Sequence, residues 1–175
     1  MAKVISRPYN PKSSGLQSHM GVCRHKRNKV GIGLLLQLKR RSIMKKVAFI
    51  CVHNSCRSQM AEALARVIGL EVLEAYSAGT ETKPQINQDA VMVMKELGID
   101  MEINQSSKLL SDIPEVDIVI TMGCNVVCPM IKSSYREDWG LEDPSGKGLA
   151  EFRQTRNIIK NKVDSLVTRI KNNLL

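Results

Sequence analysis

Aromatic side chains are scarce in this 175-residue chain, at 3% of residues, and its first 43 residues contain no acidic residue. Few aromatic rings leave little material for a surface that binds nucleic acid by base stacking. The longest apolar stretch of the first 43 residues runs from Val30 to Leu38, far short of the roughly 20 residues that a membrane-spanning helix needs. We therefore expect neither nucleic acid nor membrane as a partner.

The positive charge is distributed unevenly. Residues 1–43 contain ten of the 26 Lys and Arg residues, whereas residues 44–175 contain sixteen of them and all seventeen Asp and Glu. The net charge of +9 therefore belongs to the first segment. We expect that segment to be a basic extension, either disordered or not native, with a transit peptide or a basic binding arm as the alternatives. Residues 44–175 are long enough for a single domain. Since no secretory signal is recognisable, we expect a cytoplasmic protein.

Short apolar runs alternate with helical periodicity in the second segment. Such alternation predicts an α/β fold with a parallel sheet and helices on both faces. The second strand is expected to be closed by Ser77-Ala78-Gly79. The predicted strands are 47–50, 71–76 and 117–122, and the predicted helices are 60–68, 87–97 and 148–174.

A cysteine and an arginine separated by five residues follow the first predicted strand and precede the first helix. A loop in this position binds a tetrahedral anion through successive backbone N–H groups and the positive end of the helix. Arg57 can bind two oxygens of that anion, and the same field favours the thiolate of Cys51, a candidate nucleophile. Ser58 can donate a hydrogen bond to the thiolate. The candidate oxyanion-binding residues are His53, Asn54, Ser55, Cys56, Arg57 and Ser58.

Two further cysteines, Cys124 and Cys128, follow the third predicted strand. Because the carboxyl ends of parallel strands share one edge of a sheet, they are expected near Cys51. A zinc site with four thiolate ligands is an alternative, but Arg57 beside Cys56 is a poor neighbour for a cation. Cys56 itself is either a resolving thiol or a small buried residue, and we favour the second interpretation.

A turn-rich acidic stretch, 138–146, contains Asp143 directly before Pro144. The proline keeps Asp143 extended, so its carboxyl group can project over a neighbouring site. There it is a candidate general acid, although an Asp-Pro pair by itself more often marks only a turn.

Four segments together resemble the low-molecular-weight tyrosine phosphatases and, among them, the thioredoxin-coupled arsenate reductases. They are CVHNSCRSQMAEA, YSAGT, TMGCNVVCP and EDWGLEDPSGKG, and the resemblance runs from Met44 to about the end of the chain. It implies a three-layer fold with a four-stranded parallel sheet flanked by helices. It also implies that Cys51 is the nucleophile, Arg57 and the loop amides the anion binders, and Asp143 the acid.

The activity implied by this resemblance is reduction of arsenate to arsenite. Its partners would be arsenate and thioredoxin, or another dithiol reductant, and Cys124 and Cys128 would form the redox relay. This chemistry requires no metal and no organic cofactor. A tyrosine phosphatase is the alternative, because it uses the same loop and acid but neither relay cysteine. A catalytically silent anion-binding protein is a third possibility, against which the complete set of reactive residues argues.

Overall fold

The computed structural model describes residues 44–123 and 131–175. Expectations that concern residues 1–43, Cys124 and Cys128 fall outside these two ranges. Within them, no helix is long and apolar enough to cross a membrane.

Four parallel strands form the sheet, in the order β2-β1-β3-β4. The chain leaves β1 toward β2 on one side and later enters β3 on the other. The loop after β1 therefore lies at the switch point where open α/β sheets bind ligands. The predicted four-stranded parallel sheet is confirmed. The strands are β1 Lys45–Cys51, β2 Leu73–Gly79, β3 Ile118–Thr121 and β4 Tyr135–Asp138.

Within residues 44–123 and 131–175, three α-helices accompany the sheet: α1 Arg57–Ile68, α2 Gln88–Lys95 and α3 Leu149–Lys171. A short 3-10 helix spans Leu110–Asp112. Helix α2 begins after Asn87. The Asn87 side chain accepts hydrogen bonds from the backbone N–H groups of Asp89 and Ala90, which makes it a favourable N-cap.

Helices α1, α2 and α3 pack on one face of the sheet. Val47 and Phe49 of β1 are fully buried there, in the main core cluster to which all three helices contribute. Because side chains alternate along a strand, Ala48 and Ile50 point to the other face and belong to a second, smaller cluster. Leu110 of the 3-10 helix packs against that cluster. Among the described residues, the second face is covered by the 3-10 helix and loops. The prediction of helices on both faces extends to residues 124–130, which lie outside the two described ranges.

Strand β2 extends further than the sequence predicted. Ser77, Ala78 and Gly79 do not close the strand; they continue its pairing with the last three residues of β1. Small residues are needed here because β2 passes directly under the loop after β1. A Cβ atom on Gly79 would lie 2.4 Å from the carbonyl oxygen of Val52 and 2.9 Å from the backbone nitrogen of Asn54.

Candidate active site

Cys51 ends β1 and lies at the bottom of the following loop. Its side chain is 7% exposed. The sulfur lies 3.2 Å from the backbone nitrogen of Asn54, which donates to it, and 2.9 Å from the hydroxyl oxygen of Ser58. A thiolate at this position therefore has two hydrogen-bonding partners, as the sequence suggested for Ser58.

Asn54 gives the loop its tight curvature. Its φ angle is +46°, in the left-handed region that asparagine tolerates better than most residues. Its fully buried side chain accepts a hydrogen bond from the backbone of Lys108 at 2.8 Å and donates one to the Ser58 hydroxyl at 2.9 Å. The amide thus fastens the loop on one side and supports Ser58 on the other.

Arg57 is the first residue of α1 and is 9% exposed. Its Nη1 donates to the carbonyl oxygens of Met122, at 3.1 Å, and Leu141, at 2.6 Å, and Nη2 donates to the Asp143 carboxylate at 3.2 Å. A guanidinium carries five N–H donors, so two remain for an anion. Contacts with the ends of β3 and β4 therefore hold the group in place before any anion arrives.

Asp143 lies beside Arg57, with half of its side chain exposed. Burial opposes ionisation of this carboxyl group, but hydrogen bonds from the backbone N–H and hydroxyl of Ser145, at 3.1 and 2.8 Å, favour it. With the nearby charges of Arg57 and His53, they outweigh burial and lower its pKa below the ordinary value. In the anion-free protein Asp143 is consequently a carboxylate at neutral pH.

The loop and the acid face one cavity of about 400 Å³, within the range of small-molecule sites. His53, Ser55, Cys56 and Arg57 line it, whereas Asn54 and Ser58 do not. These last two act on the Cys51 sulfur from behind the loop. The six candidate oxyanion-binding residues thus divide into a cavity-lining group and a supporting pair.

The outer wall of the cavity was not predicted. Lys83, Gln85 and Asn87 line it from the connection between β2 and α2. In the sequence, the only feature that could have indicated this wall is the polar turn around Pro84. At the rim of the cavity, His53 Nε2 lies 3.2 Å from Glu81 Oε2.

Cys56 is 6% exposed, and burial is the largest of the effects that raise the pKa of its thiol far above the ordinary value. A thiol that remains protonated is a poor nucleophile for disulfide exchange. The geometry therefore favours a small buried residue over a resolving thiol. Across residues 44–123 and 131–175, no cluster of three His, Cys, Asp or Glu side chains could hold a metal ion.

Gly123 immediately precedes Cys124 in the chain, and its backbone is held firmly. The Asp138 carboxylate accepts hydrogen bonds from the Gly123 N–H and the Thr121 hydroxyl, both at 2.7 Å. Burial opposes ionisation of Asp138, but hydrogen bonds from Thr121 and from backbone N–H groups outweigh it and lower the pKa of the carboxyl group. The end of β3 is thereby fixed next to Arg57.

Several known proteins resemble this chain in sequence and fold. Residues 46–174 match the family of low molecular weight phosphotyrosine protein phosphatases. The chain is 38% identical to a glutaredoxin arsenate reductase of Synechocystis sp., over 73% of this chain and 99% of that protein. It is 39% identical to arsenate reductase 1 of Staphylococcus epidermidis, over 72% of this chain and 98% of the relative. A solved arsenate reductase in the phosphate-binding state superposes with a TM-score of 0.67 at 39% identity, covering 73% of this chain and 99% of that one.

Proposed function

This chain belongs to the low molecular weight phosphotyrosine protein phosphatase family, and from that premise we propose that it reduces arsenate to arsenite. The supporting relatives are arsenate reductases matched over nearly their whole length. The observation that carries the proposal is the hydrogen bond from Arg57 to the Met122 carbonyl. It joins the oxyanion loop to the strand end from which the chain continues, two residues later, into Cys124.

Arsenate binds in the cavity of Cys51 as phosphate would, because the two anions share shape and charge. Loop N–H groups and the free donors of Arg57 bind its oxygens, and the N-terminus of α1 adds a positive partial charge. These groups are in place before binding, so little reorganisation is required.

The first chemical step joins sulfur to arsenic. The Cys51 thiolate attacks arsenic, an As–O bond breaks, and the oxygen leaves as water with a proton from Asp143. Asp143 is ionised in the anion-free protein, but an arsenate dianion on Arg57 brings negative charge beside it. That charge favours the protonated carboxyl group, which then has a proton to give.

The second step is the reduction itself. The Cys124 thiolate attacks the Cys51 sulfur, a disulfide forms, and the electron pair of the S–As bond passes to arsenic, converting As(V) to As(III). Arsenite leaves. The Cys128 thiolate then attacks Cys124, which frees Cys51 and leaves a Cys124–Cys128 disulfide. An external dithiol protein reduces that disulfide; we propose thioredoxin, with glutaredoxin as the competing donor.

The test is arsenate-dependent NADPH oxidation with thioredoxin and thioredoxin reductase. We expect turnover in the unmodified chain and in Cys23→Ser, which serves as a matched control outside the relay, and no turnover in Cys124→Ser or Cys128→Ser. A parallel assay with glutathione and glutaredoxin identifies the donor. Full turnover in either relay variant would refute the mechanism. Hydrolysis of an aryl phosphate without arsenate reduction would instead establish the phosphatase alternative.

A further inference from the structure

Gln59 is a fully buried polar residue of α1 that neither lines the cavity nor takes part in the chemistry described above. It lies one residue beyond Ser58 and under the oxyanion loop. Burying an amide is unfavourable unless its polar atoms are hydrogen-bonded, and both ends of the Gln59 amide have such partners.

Two backbone carbonyl groups fix the orientation of the Gln59 amide. Its Nε2 lies 3.0 Å from the carbonyl oxygen of Asn54 and 2.7 Å from that of Ser106. A carbonyl oxygen only accepts hydrogen bonds, so the atom facing both must be the nitrogen. The same nitrogen also lies 2.9 Å from the side-chain oxygen of Asn54.

Gln105 fixes the opposite end of Gln59. Its Nε2 lies 2.8 Å from Gln59 Oε1, 3.0 Å from the Gln59 carbonyl oxygen and 3.1 Å from a carboxylate oxygen of Glu62. All three partners are acceptors. Gln105 therefore donates to Gln59, whose own nitrogen is left to donate toward the loop.

The Asn54 amide has one possible orientation as well. Its Oδ1 accepts from the backbone N–H of Lys108, a group that can only donate, so its Nδ2 faces Ser58. The Ser58 oxygen accepts from that nitrogen and lies 2.9 Å from the Cys51 sulfur. When Cys51 is a thiolate, the sulfur has no proton, so the Ser58 hydroxyl must donate to it. Every hydrogen bond from Gln105 to Cys51 thus runs in the same sense.

We infer that Gln59, fixed by Gln105, is a positioning residue: together with the Lys108 N–H it holds the Asn54 amide in the orientation in which Ser58 donates a hydrogen bond to the Cys51 thiolate. Aligned hydrogen bonds polarise one another, and a bond to a charged acceptor is stronger than a neutral one. The chain of amides therefore stabilises the thiolate over the thiol. The inference rests on the proposed function only in taking Cys51 as the reactive thiolate.

The decisive variant is Gln59→Glu, which keeps the shape of the side chain but replaces the donor nitrogen with an acceptor oxygen. The rate of Cys51 alkylation by iodoacetamide is measured against pH on the full chain, with each cysteine peptide resolved by mass spectrometry. We expect the midpoint of the profile to rise by about one pH unit, a tenfold smaller thiolate fraction, since a hydrogen bond to a charged group is worth at least that much. The charged groups that line the cavity around Cys51, namely His53, Arg57, Lys83 and Asp143, are unchanged in this variant.

Two further variants separate positioning from folding. Gln105→Met removes the donor to Gln59 without adding a buried charge, and we expect a smaller upward movement of the same midpoint. Gln154→Glu, on the exposed side of α3, is the matched control and should leave the profile unchanged. Alkylation of buried Cys56 reports any loss of the fold, so that only variants in which it stays unreactive are compared.

The kinetic signature is a lower kcat for arsenate with little change in KM, because the cavity-lining donors are untouched. A midpoint that stays at the wild-type value in folded Gln59→Glu and Gln105→Met overturns the inference, even if both variants melt at a lower temperature. That result would leave arsenate reduction itself intact, because the alkylation assay contains no arsenate. Conversely, a failure of the arsenate reduction proposal in the Cys124 and Cys128 variants would leave the pH profile of Cys51 alkylation unaffected.

Discussion

The oxyanion loop, residues 51–58, and the acid loop, residues 138–146, face the same cavity but are held in different ways. The buried side chain of Gln59 in α1 and the backbone N–H of Lys108 support the oxyanion loop from behind. The reactive group of the acid loop, Asp143, is half exposed and is held by Arg57 and by its own neighbour Ser145.

This difference matches the two tasks. An oxyanion site works best when its dipoles are fixed before the substrate arrives, and a fully hydrogen-bonded, buried network achieves this. A general acid has to change its protonation state during each turnover, so it needs contact with solvent and a partner that it can release. In the proposed mechanism Arg57 serves both loops, since it contacts Asp143 in the anion-free state and binds the anion afterwards.

Replacing Arg57 should give the largest effect, because it removes the connection between the two loops. In Arg57→Lys a single ammonium cannot hold two carbonyl groups and also bind an anion bidentately. We expect kcat/KM for arsenate to fall by about a thousandfold, the upper end for loss of an oxyanion donor. Steady-state kinetics check this, with exposed Arg153→Lys as the control. A loss below tenfold would mean that Arg57 is not the main anion binder.

Asp143→Asn should affect only the acid loop. Proton donation is lost, and we expect kcat to fall by about a hundredfold, the lower end for general acid catalysis because water has access. Anion binding should become tighter, since a negative charge beside Arg57 is removed. Titration with inorganic phosphate, followed by the fluorescence of the single tryptophan, Trp139, measures this. Exposed Glu142→Gln is the neighbouring control, and weaker phosphate binding in Asp143→Asn would contradict the assignment.

Gly79→Ala should disturb only the oxyanion loop. The new Cβ would meet backbone atoms of Val52 and Asn54, and such overpacking costs about 1–3 kcal/mol of unfolding free energy. Urea denaturation measures the loss, and phosphate affinity should fall with it. Gly98→Ala is the comparison, because its site is open but has a φ of +74°. It should cost about 1–2 kcal/mol and leave phosphate binding unchanged.

Ser145→Ala should have the smallest effect. It removes the hydroxyl that stabilises the Asp143 carboxylate, so the pKa of Asp143 should rise toward its ordinary value. A lowered pKa in the folded state stabilises the protein above the pKa of the unfolded chain, and this contribution is lost as pH falls through the folded value. The variant should therefore lose less stability on acidification. An NMR titration of the Asp143 carboxyl group checks the direction, and an unchanged pKa would show that the Ser145 hydroxyl is irrelevant.

The elements that the sequence predicted well are those with a strong local pattern. The apolar run 47–50 became β1, and the helical stripe 148–174 became α3, Leu149–Lys171. Strand β4, Tyr135–Asp138, alternates between half-buried and exposed residues and lies at the edge of the sheet, so its four residues carry little pattern. Only the resemblance implied it. The predicted end of β2 was wrong because small residues, which usually mark a turn, here allow the strand to pack closely under a loop.

The sequence by itself predicted the candidate anion loop, because a cysteine and an arginine at this spacing between a strand and a helix favour such a loop through local backbone geometry. It could not determine which atoms support that loop. Gln105 and Lys83 lie outside the loop segment, and although Gln59 directly follows the loop, no local pattern shows which atoms its amide contacts. Only the tertiary structure decided their roles, because hydrogen bonds depend on distances and directions that arise when α1, the connections after β2 and α2, and the strand ends pack together.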